Sequence, residues 1–141
     1  GEGPERAALE TLARREGVAD RLHMPGWRTD TAALLAGADV LVCPSRHEPL
    51  GNVVIEAFSA ARPVIAAAID GPASLISSGR TGLLVPAEDP AGLAHAIATV
   101  LDNPPLAARL AAEGRAEYEA LHAEAPVLAR WRAGLRRIGG G

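Results

Sequence analysis

The sequence predicts an α/β fold: a parallel sheet with flanking helices and a helical C-terminal tail. Two observations carry this expectation. Short apolar runs bracketed by Pro, Gly or Asp alternate with stretches of helical periodicity, the order in which strands and crossover helices build a parallel sheet. From Pro90 onward the patterning is helical only.

Taken in order, Pro4 to Glu16 reads as a helix with Ala7, Leu9, Leu12 and Ala13 on its apolar side and Gly17 closing it. Arg21-Leu22-His23-Met24 is a short strand candidate that ends at the turn signal Pro25-Gly26. Thr29 or Asp30 caps a helix through Leu34 and Leu35, stopped by Gly37. The run from Asp39 to Cys43, ended by Pro44, has the pattern of a strand buried on both faces. A buried helix from about Gly51 to Ala61 and a buried strand from Pro63 to Ala66 come next. Gly71-Pro72 marks a loop, and the segment from Gly82 to Pro86 holds a third strand of this kind. Asp89 caps a helix over Ala91 to Leu101, and Pro104-Pro105 ends it and opens the next, which runs to about Leu121. A last helix, Val127 to Ile138, precedes the closing Gly139-Gly140-Gly141.

The bulk numbers narrow the function classes. A chain of 141 residues has the size of one domain and can bury most of its apolar surface. Its net charge of −3, without a basic stripe or an acidic tail, disfavours nucleic acid as a partner. No apolar run approaches the roughly 20 residues of a membrane span, and the polar start Gly1-Glu2-Gly3-Pro4-Glu5-Arg6 is not a signal peptide. The single Cys43 cannot form an internal disulfide, in keeping with a reducing, cytoplasmic compartment. All 14 basic residues other than histidine are arginine, which excludes lysine chemistry within this segment.

The most informative stretch runs from His47 to Ala57. Glu48 and Glu56 are separated by seven residues, and Pro49 and Gly51 between them can end a loop and start a helix. From Asn52 the helix reads Val53, Val54, Ile55, Ala57, Phe58, with Glu56 as its only charge until Arg62, so it is expected to be buried nearly all round. A carboxylate inside it is costly unless donors reach it. The N–H groups and dipole at a helix start favour an anion such as phosphate. Carboxylates beside them suit paired hydroxyls. Phosphate together with polyol describes a sugar nucleotide.

With these residues in view, the chain resembles the family 4 glycosyltransferases of the GT-B fold. The resemblance rests on Gly1-Glu2-Gly3-Pro4, Ala38-Asp39-Val40, Pro44-Ser45, the segment from Glu48 to Ala57, Arg62-Pro63-Val64-Ile65-Ala66 and Gly79-Arg80-Thr81-Gly82-Leu83-Leu84-Val85-Pro86, in the family's order. It implies a Rossmann-like donor-binding domain, the C-terminal half of a GT-B enzyme, over residues 1–103. Residues 104–138 would be the C-terminal helices and 139–141 a flexible end. It further implies that the first two strands of that domain, with their Arg and Lys pair for the diphosphate, and the acceptor-binding N-terminal domain lie outside this segment. In the strand order 3-2-1-4-5-6 the strand at Leu22–Met24 is then cut off from the others, and the piece alone is expected to be inactive.

The resemblance also implies residue roles. Glu56 would bind the ribose diol, and Glu48, the catalytic candidate, would contact hydroxyls of the transferred sugar. Pro49, Leu50, Gly51, Asn52 and Val53 would border the sugar and take the diphosphate on main-chain N–H groups. Met24, Pro25 and Gly26 would lie against the base. The reaction would be transfer with retention from a nucleoside-diphosphate sugar, without a bound metal or covalent cofactor, in a process such as polysaccharide biosynthesis. A sugar-nucleotide epimerase of the same fold and a non-catalytic nucleotide-sugar-binding module are the competing readings.

Other residues have plainer readings. Asn52 is equally a helix-start residue, Cys43 a buried small hydrophobe, and His47 a solvated loop side chain. His23, His95 and His122 lack metal-ligand spacing. Trp27 is read as packing, with the base as the other possibility; Trp131 as a docking residue beside Leu128 and Leu135; and Arg80 as part of a solvated turn. Two positions depart from the family: Ala61, where Gly is common and a methyl would tighten packing, and Ser74, where Glu is common.

Overall fold

The sheet grows from one fully buried strand. In this computed structural model, which describes residues 2–139, the strands β1 (Leu41–Cys43), β2 (Val64–Ala67) and β3 (Leu83–Val85) form a parallel sheet of order β1-β2-β3. Leu41 pairs with Val64 and Cys43 with Ala66, while Ile65 pairs with Leu83 and Ala67 with Val85. All four residues of β2 are buried. Only Cys43 of β1 and Val85 of β3 are, because each of those strands has a neighbour on one side alone. The expectation that the first run would be buried on both faces is corrected to a half-buried edge strand.

Side chains alternate across the sheet. Val64 and Ala66 join Cys43 under Val54, Ala57 and Phe58 of α3 (Asn52–Ser59). On the other face Ile65 and Val85 meet Ala96 and Val100 of α5 (Pro90–Leu101) and Leu110 of α6. The remaining helices are α1 (Arg6–Arg15), α2 (Thr31–Gly37), α4 (Asp70–Leu75), α6 (Pro104–Glu117) and α7 (Glu124–Gly139). A single π turn, Tyr118–His122, separates the last two, where an unbroken helix to Leu121 was expected. Gly139 ends α7; the rest of the expected flexible end at 139–141 lies outside the described residues.

Two compact units are present, Gly1–Thr31 and Ala32–Gly141. In the first, α1 closes as the sequence predicts: Gly17, at φ 68°, donates to Arg14 O, and Val18 donates to Ala13 O, a Schellman ending. The strand expected at Arg21–Met24 does not form. Residues Ala19–Arg21 make a 3₁₀ turn, and the chain beyond it pairs with no other strand among the described residues. A strand exists only through its ladder, and β1 is paired with β2 alone. The Met24 carbonyl instead accepts from Arg6 Nη2 at 2.9 Å.

In the second unit the polar caps follow the sequence. Asp89 accepts from the Gly92 N–H at 2.9 Å, and Asn103 from the Leu106 N–H at 3.0 Å. Arg80 lies in an exposed turn, as expected, and from there its guanidinium reaches Glu117 of α6 at 2.9 Å and Glu113 at 3.3 Å. Gly71-Pro72 is not a loop but the first turn of α4. Proline is tolerated there because the amide it lacks has no partner within the helix.

Ala61 shows its departure from the family in the backbone, not in packing. It is exposed, and it holds the left-handed position at the C-terminal end of α3 with φ 51°. The Schellman bonds Ala61 N–H to Phe58 O, at 3.0 Å, and Arg62 N–H to Ala57 O, at 2.9 Å, impose that conformation. A non-glycine residue there costs about 1–2 kcal/mol. The added freedom of glycine in the unfolded chain takes back about 0.4–1 kcal/mol. Ala61→Gly should therefore stabilise the protein by about 0.5–1 kcal/mol, read as a raised urea midpoint by circular dichroism; a lowered midpoint would contradict this account of the α3 ending.

Candidate functional site

The site forms at one edge of the sheet. Pro44 follows β1, Ala67 ends β2 and Val85 ends β3, and from this carboxyl edge the chain enters α3, α4 and α5. Open α/β sheets bind ligands along this edge.

Glu48 lies in the loop between β1 and α3 and is tied down at both of its polar ends. Its Oε1 accepts from the Gly51 N–H at 2.9 Å, and its main-chain oxygen accepts from the Gly71 N–H, also at 2.9 Å. Gly51 is the N-cap of α3, at φ 73°, a conformation that favours glycine. Its carbonyl accepts from Val54 N–H at 2.9 Å, which starts the helix. The next two amides, of Asn52 and Val53, have no partner among the described residues, and no side chain caps the helix. A carboxylate and two open donors therefore share the start of an eight-residue helix, where the dipole adds positive potential.

Glu56 lies one turn beyond Asn52. The two form the exposed edge of α3, whereas Val54, Ala57 and Phe58 form its buried face. The expectation of an all-round buried helix is thus corrected. α3 packs on β1, β2, α4, α6 and the π turn, and the edge that carries Asn52 and Glu56 is exposed. Glu56 needs no buried donors, and no hydrogen bond or ion pair reaches its carboxylate among the described residues.

Of the other candidate residues, Pro49 and Leu50 are exposed, Leu50 at 67%, and Val53 is half-buried. Met24 and Gly26 are half-buried and Pro25 is exposed, all in the first unit. Trp27 is 84% exposed, so the packing role expected of it is overturned. Cys43 is buried and His47 exposed, as expected. Trp131 is 66% exposed on α7. A cleft of about 360 Å³ lies beside the same sheet edge, bounded by Pro44, Arg46, Ala67, Val85 and Glu88; neither Glu48 nor Glu56 lines it.

One residue that the sequence did not single out is Gly71. A Cβ on it would meet the Glu48 oxygen at 2.5 Å, the Gly51 nitrogen at 2.6 Å and the Leu50 carbonyl carbon at 2.7 Å. The Gly-Pro pair was visible in the sequence, but the closeness of two main chains far apart in sequence was not.

Comparison with known proteins gives the family of the chain. The family of group 1 glycosyl transferases matches residues 1–103, and the chain belongs to it. The lipopolysaccharide core biosynthesis glycosyltransferase LpsD of Rhizobium meliloti is 41% identical over 114 residues, which are 81% of this chain and 33% of LpsD. A D-inositol 3-phosphate glycosyltransferase of Streptomyces avermitilis is 42% identical over 118 residues, 82% of this chain and 24% of that protein. The chain thus spans between about a quarter and a third of the length of these relatives.

Among solved structures, sucrose-phosphate synthase from Thermosynechococcus elongatus superposes with a TM-score of 0.87 at 34% identity, over 100% of this chain and 36% of that one. Anabaena HepE in complex with UDP-glucose gives 0.89 at 26% identity, over 97% and 38%. The GT-B type of α/β fold and the helical tail are those the sequence predicts. No helix among the described residues is long and apolar enough to cross a membrane.

Proposed function

We propose that this chain is the donor-binding part of a retaining family 4 glycosyltransferase, which moves a sugar from a nucleoside-diphosphate sugar to an acceptor. The observation that carries the reading is the Glu48 carboxylate tied to Gly51 N–H beside the open amides of Asn52 and Val53. Supporting it, HepE, of the same fold, is a protein seen with UDP-glucose.

In this reading the diphosphate sits on the Asn52 and Val53 amides. Departure of the nucleoside diphosphate leaves new negative charge there, and fixed donors aimed at developing charge accelerate such a step. The α3 dipole supplies up to about 2 kcal/mol. Glu48 spends Oε1 on Gly51 and offers Oε2 to hydroxyls of the transferred sugar. Glu56, on the exposed edge of α3, accepts both hydroxyls of the ribose diol, since one carboxylate has room for two donors. Met24, Pro25 and Gly26 border the base. No metal takes part. The acceptor is bound by a further domain, as the greater length of the relatives supports, and the setting is cytoplasmic assembly of a cell-envelope polysaccharide.

Glu56→Ala in the complete gene product should weaken UDP-glucose binding about 10- to 100-fold, the loss of one or two hydrogen bonds to a charged group. The thermal midpoint should be unchanged or slightly higher, because no intramolecular bond of the carboxylate is lost. Calorimetry finding unchanged affinity would overturn the ribose assignment. The 141-residue chain alone should bind UDP-glucose feebly, with a Kd of about 1 mM or weaker, and should transfer no sugar. Tight binding or turnover by it would contradict the need for further chain.

A further inference from the structure

We infer that Gly71, on α4, is a positioning residue that sets where the Glu48 carboxylate stands and so tunes selectivity for the donor sugar. The inference rests on the donor-binding reading above and extends it to a residue outside the Glu48–Glu56 motif. Two independent observations lead to it. First, the Gly71 N–H donates to the Glu48 main-chain oxygen at 2.9 Å, while Glu48 Oε1 accepts from Gly51. The glutamate is thereby held at its backbone from α4 and at its side chain from α3. Second, the approach leaves no room for a side chain: a Cβ at Gly71 would stand 2.5–2.7 Å from three main-chain atoms of the Glu48–Gly51 loop, and none of these is the flexible end of a side chain.

The φ of Gly71 is not positive, so glycine is required here for proximity and not for conformation. Its amide is also committed. Pro72 has none, so the start of α4 is left to hold the loop while the start of α3 keeps its open donors. The α4 turn is itself braced, since Ser74 Oγ donates to the Gly71 carbonyl at 2.7 Å. The position where the family often carries Glu is thus occupied by a hydroxyl that fixes the carbonyl of the positioning residue.

A methyl at Gly71 would push the Glu48 loop outward by about an ångström, enough to cost about 10- to 100-fold where orientation matters. The test compares Gly71→Ala, Ser74→Ala, Glu48→Gln and the Gly71→Ala/Glu48→Gln pair in the complete gene product. Each is titrated with UDP and, separately, with UDP-glucose. Gly71→Ala should weaken UDP-glucose about 10-fold or more and leave UDP within about twofold, because Glu48 meets the sugar and not the nucleotide. Ser74→Ala, which adds no atoms and is expected to fold, should give the same selective loss at about threefold. The pair should lose no more than the worse single variant.

Hydrogen exchange at the Gly51 amide supplies a readout that needs no ligand. It should quicken about 10-fold in Gly71→Ala while the amides of Ala57 and Phe58 keep their rates. Parallel weakening of UDP and UDP-glucose, additive losses in the pair, or unchanged Gly51 exchange would each overturn the positioning role. If the unmodified protein binds neither UDP nor UDP-glucose, the donor-binding reading fails, and Gly51 exchange still decides whether Gly71 positions Glu48.

Discussion

The site depends on two main chains meeting at the carboxyl edge of a parallel sheet. The loop from Glu48 to Gly51 and the first turn of α4 approach so closely that both contact points are glycine. A Cβ at Gly51 would lie 2.8 Å from the Leu75 side chain, and one at Gly71 would strike the loop backbone. The hydrogen bond from Gly71 to the Glu48 oxygen joins them. This contact sets the chemistry. With its backbone pinned, Glu48 can turn one carboxylate oxygen onto Gly51, and α3 begins with two unspent amides next to it. The charged group, the donors and the dipole are in place before any ligand arrives, the condition under which electrostatic stabilisation is strongest.

The core serves this arrangement by fixing the helices to the sheet. Phe58 sits fully buried beneath α6, where Gly114 makes room for its ring: a Cβ there would come within 2.7 Å of it. α3 is therefore held along its apolar face, and its other edge, carrying Asn52 and Glu56, stays open. The cleft beside the same sheet edge is lined by neither Glu48 nor Glu56. A site that must expel water needs a second wall, and relatives about two and a half to three and a half times as long have chain enough to supply one.

How much of this was legible in the sequence divides along the line between local and non-local causes. The endings at Gly17, Asp89 and the Pro104-Pro105 pair were readable because each is set by residues within a turn of it. The three paired strands were readable as apolar runs. The strand expected at Arg21–Met24 failed because a strand is a property of two segments, and none lies alongside among the described residues. Glu56 was expected to be buried because the helix around it looks uniformly apolar, yet Val53 and Ile55 are only half-buried and one edge faces out. Ala61 was misread for want of its surroundings, a helix ending that demands a left-handed residue. Within the site, the acidic pair and the helix start were visible from residue type and spacing, whereas Gly71 announces itself only through space.

The most direct measurement is a crystal structure of the complete gene product with UDP-glucose. The account requires diphosphate oxygens within about 2.7–3.2 Å of the Asn52 and Val53 nitrogens, with Glu48 Oε2 on a sugar hydroxyl and Oε1 still on Gly51. A donor seated instead in the cleft beside Arg46 and Glu88, with the α3 amides left to water, would contradict it.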